Sequence, residues 1–152
     1  MKYLLTLIAF PLFLASFNHG EGTARLTCKS QSGRTIFEAE FGVYTELRQA
    51  KFTIDKANMP FSYYDRYTVI CDPEAKVYTL NIESEVHSNF DTARFVQLWA
   101  IPSTFTEESS SGTEFHDIYK FTAKLRARDP RKGKGYETPV ILLNSTLTYT
   151  NP

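Results

Sequence analysis

Cationic side chains are concentrated in one segment near the end of the chain. Between positions 124 and 134, six of eleven residues are Lys or Arg. A surface with that density of positive charge can attract phosphate, sulfate or carboxylate groups, or an acidic protein. Charge of this kind also keeps the tip of a long hairpin soluble, and Asp129 and Glu137 dilute its field. The candidate binding residues are Lys124, Arg126, Arg128, Arg131, Lys132 and Lys134.

A second candidate binding surface is rich in tyrosine. The stretch FSYYDRYTV brings Tyr63, Tyr64 and Tyr67 close together in the sequence. Tyrosines on a strand can form a platform for a sugar or a protein partner. Aromatic residues also favour strands because they pack well there, so strand packing is the alternative interpretation. Trp99, the only tryptophan, is predicted to lie in the core.

Residues that could perform acid–base chemistry are few. Beyond the N-terminal segment, His87 and His116 are the only histidines. The sequence contains no nucleophile elbow, no zinc-binding HExxH motif and no glycine-rich phosphate loop. A metal site needs several ligands to converge, and the two cysteines have no histidine near them. We therefore expect no catalytic residues, no cofactor and no metal, with a small hydrolytic enzyme as an alternative.

The charge balance restricts the class of partner. The chain carries 17 Lys or Arg residues and 17 Asp or Glu residues. A globally basic nucleic-acid-binding protein is therefore disfavoured, and no RNA-binding motif is visible. We expect no specific nucleic-acid partner. The predicted partner is a protein or an anionic component of the cell envelope, and the sequence does not predict the oligomeric state.

The N-terminal segment has the layout of a secretory signal peptide. Lys2 provides a positive start, an apolar run covers residues 3–17, and small and polar residues follow. The run is shorter than the roughly 20 residues of a membrane span, so we expect no transmembrane segment in the mature chain. Residues 1–24 are assigned to the signal peptide, with Gly20 and Ala15 as alternatives to cleavage after Ala24. Residues 25–152 form a single domain, predicted to be periplasmic or extracellular.

Export also gives the two cysteines a predicted role. Exported proteins meet an oxidising compartment, where a chain with two cysteines is expected to form one disulfide. The predicted bond joins Cys28 and Cys71. A redox-active pair is the alternative, and it is disfavoured because the two cysteines lack the close C-x-x-C spacing.

Hydrophobic alternation with a period of two predicts strands along most of the chain. The clearest example is DIYKFTAKLRAR, whereas ARFVQLWAI and PVILLNSTLTY are apolar on both faces and are predicted to be covered on both sides. VYTELRQAK allows one helical turn at most, and STFTEESSSGTE is predicted to be a mobile loop. The predicted fold is all-β, a single-domain antiparallel β-sandwich or flattened β-barrel of about seven to nine strands with one disulfide.

Three segments of this exported chain, LTCKSQSG, VYTLNI and FVQLWAI, give a family resemblance. The chain resembles the small periplasmic C-type lysozyme inhibitors. That resemblance implies a compact β-barrel stapled by a disulfide, and inhibition of a lysozyme as its activity. The chain lacks the S-G-x-x-Y loop that those inhibitors present to the enzyme cleft, so no residue role is transferred.

The sequence thus predicts a small exported all-β domain with a non-catalytic binding role at or outside the cell envelope. The alternatives are enzyme inhibition, an accessory subunit that pairs through a sheet edge, and hydrolysis.

Overall fold

The chain folds almost entirely into β-strands. A computed structural model describes residues 22–42, 45–84, 94–110, 116–128 and 137–150. No helix in these ranges is long and apolar enough to cross a membrane. They contain one 3-10 turn, Pro102–Thr104, and ten strands. The strands are β1 (Thr23–Lys29), β2 (Thr35–Gly42), β3 (Glu46–Ile54), β4 (Ala57–Ser62), β5 (Arg66–Asp72), β6 (Val77–Glu83), β7 (Phe95–Ala100), β8 (Thr106–Ser110), β9 (His116–Arg128) and β10 (Ile141–Thr150).

The strands form a single curled antiparallel sheet. Its order is β4-β3-β2-β1-β10-β9-β7-β6-β5, with β8 paired to β9 beside this path. The predicted all-β antiparallel class is confirmed, and the architecture is a half-barrel built from one sheet. Neighbours in the sheet follow the chain order at all but two places: β9 lies beside β7, with β8 off the path, and β1 lies beside β10, with Thr23 opposite Thr150.

The concave face of the sheet holds the core. Alternate side chains of the strands point inward and form one apolar cluster. Phe37, Phe52 and Leu98 are fully buried within it. Burying a large apolar side chain stabilises a fold by about 1.5–3 kcal/mol, so this cluster is the main stabilising element. The other side chains of the same strands form the convex face.

Two segments differ from their predicted structure. The described part of VYTELRQAK, residues 45–51, is not helical, since it lies largely in β3, where Leu47 and Ala50 are buried. Their spacing of three resembles a helix because Arg48 is an extra residue of β3: Glu40 and Phe41, which are consecutive in β2, lie opposite Gln49 and Leu47. STFTEESSSGTE, predicted to be a loop, contains β8. β8 can be polar because it pairs on one side only, with β9. With β8 included, the described ranges contain ten strands, one more than the predicted maximum of nine.

The 3-10 turn lets β9 change its partner from β8 to β7. Ala100 is opposite Ala123 and Thr106 is opposite Lys120, so residues 101–105 face only 121–122. The backbone N–H and carbonyl of Thr122 both still form hydrogen bonds where residues 101–105 interrupt the strand pairing. Its N–H donates to the Thr104 hydroxyl at 2.9 Å, and its carbonyl accepts from the backbone N–H of residue 101 at 2.8 Å. β9 therefore runs unbroken along both partners.

The two edge strands of the sheet cannot pair with each other. Eight antiparallel pairings separate β4 from β5 along the sheet, so both strands run in the same direction. Only residues 63–65 connect them. Parallel neighbours need a crossover of about a dozen residues or more. A seam therefore stays open between β4 and β5, and no backbone hydrogen bond joins the two strands in the described ranges.

β1 begins close to the predicted cleavage site. It starts at Thr23, and Ala24 is buried in the core. Cleavage after Ala24 would remove the first two residues of this strand, whereas cleavage after Gly20 would leave the strand intact. The cleavage position itself stays a prediction, because residues 1–21 lie outside the described ranges.

The structure does not support the predicted disulfide, because Cys28 and Cys71 are both free thiols. The two thiols have different partners. The Sγ atom of Cys71 lies 2.9 Å from the Tyr149 hydroxyl, and the Cys28 side chain is hydrogen-bonded to Ser145. Burial raises the pKa of Cys28 to about 12 and also raises the pKa of Cys71. Because the thiolate is the reactive form, both thiols are predicted to react slowly.

Alkaline pH should destabilise the fold partly through Cys28. The pKa of this thiol rises from its ordinary value of 9.0 to about 12 in the fold. Between these values the unfolded chain has lost a proton that the folded chain keeps, so the free energy of unfolding falls as pH rises. We expect the stability advantage of the parent over Cys28→Ala, measured by urea unfolding, to shrink steadily above about pH 9.

Tyr78 is the internal control for this experiment. Burial raises its pKa well above the ordinary value, but Tyr78 is present in both proteins and its contribution largely cancels. A constant difference between parent and variant across the alkaline range would contradict the assignment to Cys28.

Candidate functional site

Outward side chains of β5, β6, β7 and β9 form three rows across the convex face. Residues directly opposite in an antiparallel pair lie on the same face of the sheet. Each row ends on β9 at one of the predicted basic residues, so the fold brings these three cations onto one surface. We name the three rows together the β5–β9 face. They are Arg66, Glu83, Phe95 and Arg128; Thr68, Asn81, Gln97 and Arg126; and Ile70, Thr79, Trp99 and Lys124.

A groove of about 520 Å³ lies over the first two rows. It offers side-chain amides, a hydroxyl and charges of both signs, which can donate and accept hydrogen bonds to a polar partner. Because its acidic and basic residues are equal in number, it has no strong preference for a polyanion. The groove is lined by Asp65, Arg66, Tyr67, Thr68, Asn81, Ile82, Glu83, Phe95, Gln97 and Arg128.

Two arginines are held against the ring of Phe95. The guanidinium carbons of Arg126 and Arg128 lie 5.8 and 5.1 Å from the ring centre. Arg126 also donates to the side-chain amide oxygen (Oε1) of Gln97 at 2.8 Å. Glu137 lies 3.2 Å from Arg128 and 3.8 Å from Arg126. These partly exposed ion pairs contribute only about 0–1 kcal/mol each, but they fix both guanidinium groups and neutralise part of their charge.

The third row carries exposed apolar surface. In the register of the sheet, Lys124 lies between Trp99 of β7 and Leu142 of β10. Ile70, which begins the row on β5, and Leu142, which lies beside the row on β10, are both more than half exposed, at 54% and 57%. Within the described ranges no carboxylate forms an ion pair with Lys124. This row therefore combines apolar area with one positive charge.

The convex surface of β1 to β4 has a different character. Lys51 pairs with Glu38 at 3.3 Å, and Gln49 donates to Glu40 at 2.6 Å. A hollow on this side, of about 350 Å³, is lined by these four residues together with Arg25, Ala39, Ala50, Pro60 and Phe61. The large apolar side chains that are exposed in the described ranges belong instead to the β5–β9 face, to its β10 border or to the turn beside it. They are Tyr63, Tyr64, Ile70, Val140 and Leu142.

The three tyrosines of the predicted platform separate into two groups. Tyr63 and Tyr64 lie in the turn before β5, with ring centres 3.9 Å apart. A hydrogen bond between them raises the pKa of Tyr63. Tyr67 packs against the core and also lines the groove. The turn precedes Arg66, so the exposed pair lies at the same end of the sheet as the first row.

Several predicted residues cannot be placed. Arg131, Lys132, Lys134 and His87 lie outside the described ranges, and the side chain of His116 is not described. Among the residues that are described, no group of three or more His, Cys, Asp or Glu side chains could hold a metal ion. The hydrolytic alternative stays a prediction.

Sequence reasoning missed the apolar part of this surface. Trp99, predicted to be in the core, lies on the convex face, whereas Val96 and Leu98 of the same strand are fully buried. The segment is apolar on both faces, which hid the alternation. Gln97, placed between Phe95 and Trp99, was the available signal, because a polar residue at that position marks the wet face.

Comparisons of the chain with protein-family models, with characterised proteins and with solved structures give no match.

Trp99 provides a direct test of this geometry. It is the only tryptophan in the sequence, so fluorescence excited selectively at the tryptophan absorption edge reports its environment alone. Because the residue is partly exposed, we expect iodide to quench the emission of the native protein. The quenching should be a substantial fraction of that measured for the protein unfolded in urea. A native emission that iodide does not reach would place Trp99 in the core and contradict the proposed face.

Proposed function

We propose that this chain is an exported, non-catalytic binding domain that binds a protein partner through the β5–β9 face, at or outside the cell envelope. One observation carries the proposal. The exposed apolar side chains of the described residues gather at one half of the convex surface and its border, whereas the other half carries paired polar groups.

The composition of the face favours a protein as the partner. Protein interfaces are enriched in aromatic residues and arginine, and a few such side chains carry most of the binding energy. Phe95 under two arginines and the partly exposed Trp99 are residues of that kind. Exposed apolar area rimmed by polar groups is also typical of interaction sites.

The arrangement of charge argues against a purely electrostatic partner. Glu137 neutralises part of the charge on Arg126 and Arg128, and the groove contains both acidic and basic residues. We therefore expect binding to weaken only modestly with salt, whereas a polyanion would be released steeply.

Binding should depend on the third row and on Leu142 beside it. In a pull-down from envelope and culture-supernatant extract of the source organism, we expect the variant Trp99→Ser with Leu142→Ser to lose a partner that the parent retains. Removal of interface residues of this importance typically weakens affinity by about thirtyfold or more. The matched control is Glu38→Ser with Lys51→Ser, which changes the opposite half of the convex surface and should retain the partner.

The outcomes of this experiment separate the alternatives. Equal retention by both double variants would overturn the proposed face. A third variant, with Arg131, Lys132 and Lys134 all changed to Ser, tests the predicted basic surface. Loss of the partner in that variant alone, together with release by salt, would identify an anionic component of the envelope and contradict a protein partner on the third row.

Export is tested on the mature protein itself. We expect the chain recovered from the periplasm or the medium to begin before Thr23, because β1 starts there and Ala24 is part of the core. Intact mass spectrometry gives this N-terminus. Recovery of the full chain with Met1, from the cytoplasm only, would contradict export.

The same material tests the disulfide, which stays a prediction tied to export. The mass before and after reduction shows whether Cys28 and Cys71 are joined. If the mass does not change on reduction, the free thiols of the structure are the form found in the exported protein.

A further inference from the structure

The free edge of β5 is unprotected. β5 pairs only with β6, and its other side is the end of the sheet. Its inward side chains Tyr67, Val69 and Cys71 are only half-buried, although they pack against the core. Exposed edges with unpaired backbone groups invite pairing with another strand, and soluble proteins usually block them.

The other two free edges in the described ranges are blocked. β4 carries Pro60 in its interior, which removes a backbone donor and disfavours strand addition. Its inward residue Phe61 is buried and lies 5.7 Å below the guanidinium carbon of Arg94. β8 carries the adjacent acidic residues Glu107 and Glu108, both exposed. Charged side chains on an edge strand discourage pairing. The charged residues of β5, Arg66 and Asp72, lie at its two ends, so its interior carries neither a proline nor a charge.

We propose that a second copy of this chain pairs with β5 antiparallel to the first, and forms a two-fold symmetric dimer. β5 contains seven residues, and a full-length antiparallel pairing of two copies is centred on Val69. A shift of one residue would put outward side chains opposite inward ones. A shift of two residues keeps the faces but loses two of the paired positions. Length and side-chain direction therefore select the same register.

The charges of β5 are complementary in this register. Arg66 lies opposite the partner's Asp72, and by symmetry Asp72 lies opposite the partner's Arg66. Thr68 faces the partner's Ile70, which covers an apolar side chain that is 54% exposed in the single chain. Opposite charges directly across an antiparallel pair stabilise it, whereas like charges destabilise it. A second copy of the same strand thus places opposite charges across both ends of the pairing.

The inward side chains are complementary as well. Val69 meets the partner's Val69, and Tyr67 lies opposite the partner's Cys71. All are half-buried in the single chain, so pairing completes the burial of the core at the seam. The interface is isologous, with the same patch on both copies, which is the commonest form of dimer contact.

Sedimentation velocity over a concentration series tests the dimer with the mature protein and two charge variants. Arg66→Glu creates two like-charge pairs across the symmetric interface, and so does Asp72→Arg. We expect the dimer of each variant alone to be about tenfold weaker than that of the parent. An equimolar mixture of the two variants should dimerise again, because each introduced charge then faces an opposite charge.

The mixture keeps the test decisive if a variant is destabilised, because recovery of the dimer requires both chains to be folded. Arg25→Glu on β1, an exposed position away from the seam, is the control and should dimerise like the parent. A parent that stays monomeric at every concentration would overturn the proposal. So would single variants that dimerise as well as the parent, or a mixture that shows no recovery although near-ultraviolet circular dichroism shows that both variants are folded.

Discussion

The direction of the two edge strands is the constraint on which the rest of this structure depends. β4 and β5 follow each other in the chain, but they run in the same sense because eight antiparallel pairings separate them along the sheet. A link of three residues cannot carry the crossover that parallel neighbours require. The sheet therefore curls around its core and stops short of closing. The incomplete burial of the inward side chains of β5 follows from the same constraint.

The curled sheet gives the molecule two different outer surfaces. On the side of β1 to β4, polar side chains satisfy one another across strands, as Lys51 and Glu38 do. On the side of β5 to β9, the arginines are instead fixed against Phe95, and Trp99 is left partly exposed beside Lys124. A cluster of exposed aromatic and apolar side chains calls for a specific explanation, whereas paired surface charge does not. This difference makes one half of the surface the candidate site.

Much of the fold could be predicted from the spacing of apolar residues. In β9, for example, Phe121, Ala123 and Leu125 are buried as the alternation indicates. The errors came where local pattern and sheet context disagree. Leu47 and Ala50 have a helix-like spacing because Arg48 is an extra residue of β3 that bulges out of its pairing with β2, and apolar spacing alone does not distinguish such a bulge from a helical turn. β8 looked like a loop because a strand that pairs on one side only does not require apolar residues.

The candidate site was harder to predict for a related reason. Alternation tells which residues share a face, but it does not tell which strands become neighbours. The alignment of Arg66 with Arg128 across β6 and β7 follows from the sheet order. The expected Cys28–Cys71 bond was inferred from the predicted compartment, whereas the two thiols have separate partners in Ser145 and Tyr149.

The order of the strands has one more consequence, which concerns how the chain folds. The sheet follows the chain order rotated by four strands, since β5 to β10 come first and β1 to β4 follow. A circular permutant opened in the turn at residues 63–65, with β10 joined to β1 by a short linker, would be a simple meander in which nearly every strand pairs with its predecessor. In the present order, the β1–β10 pairing must instead close a loop of nearly the whole domain. Because closing long loops slows folding, the permutant should reach the same half-barrel faster.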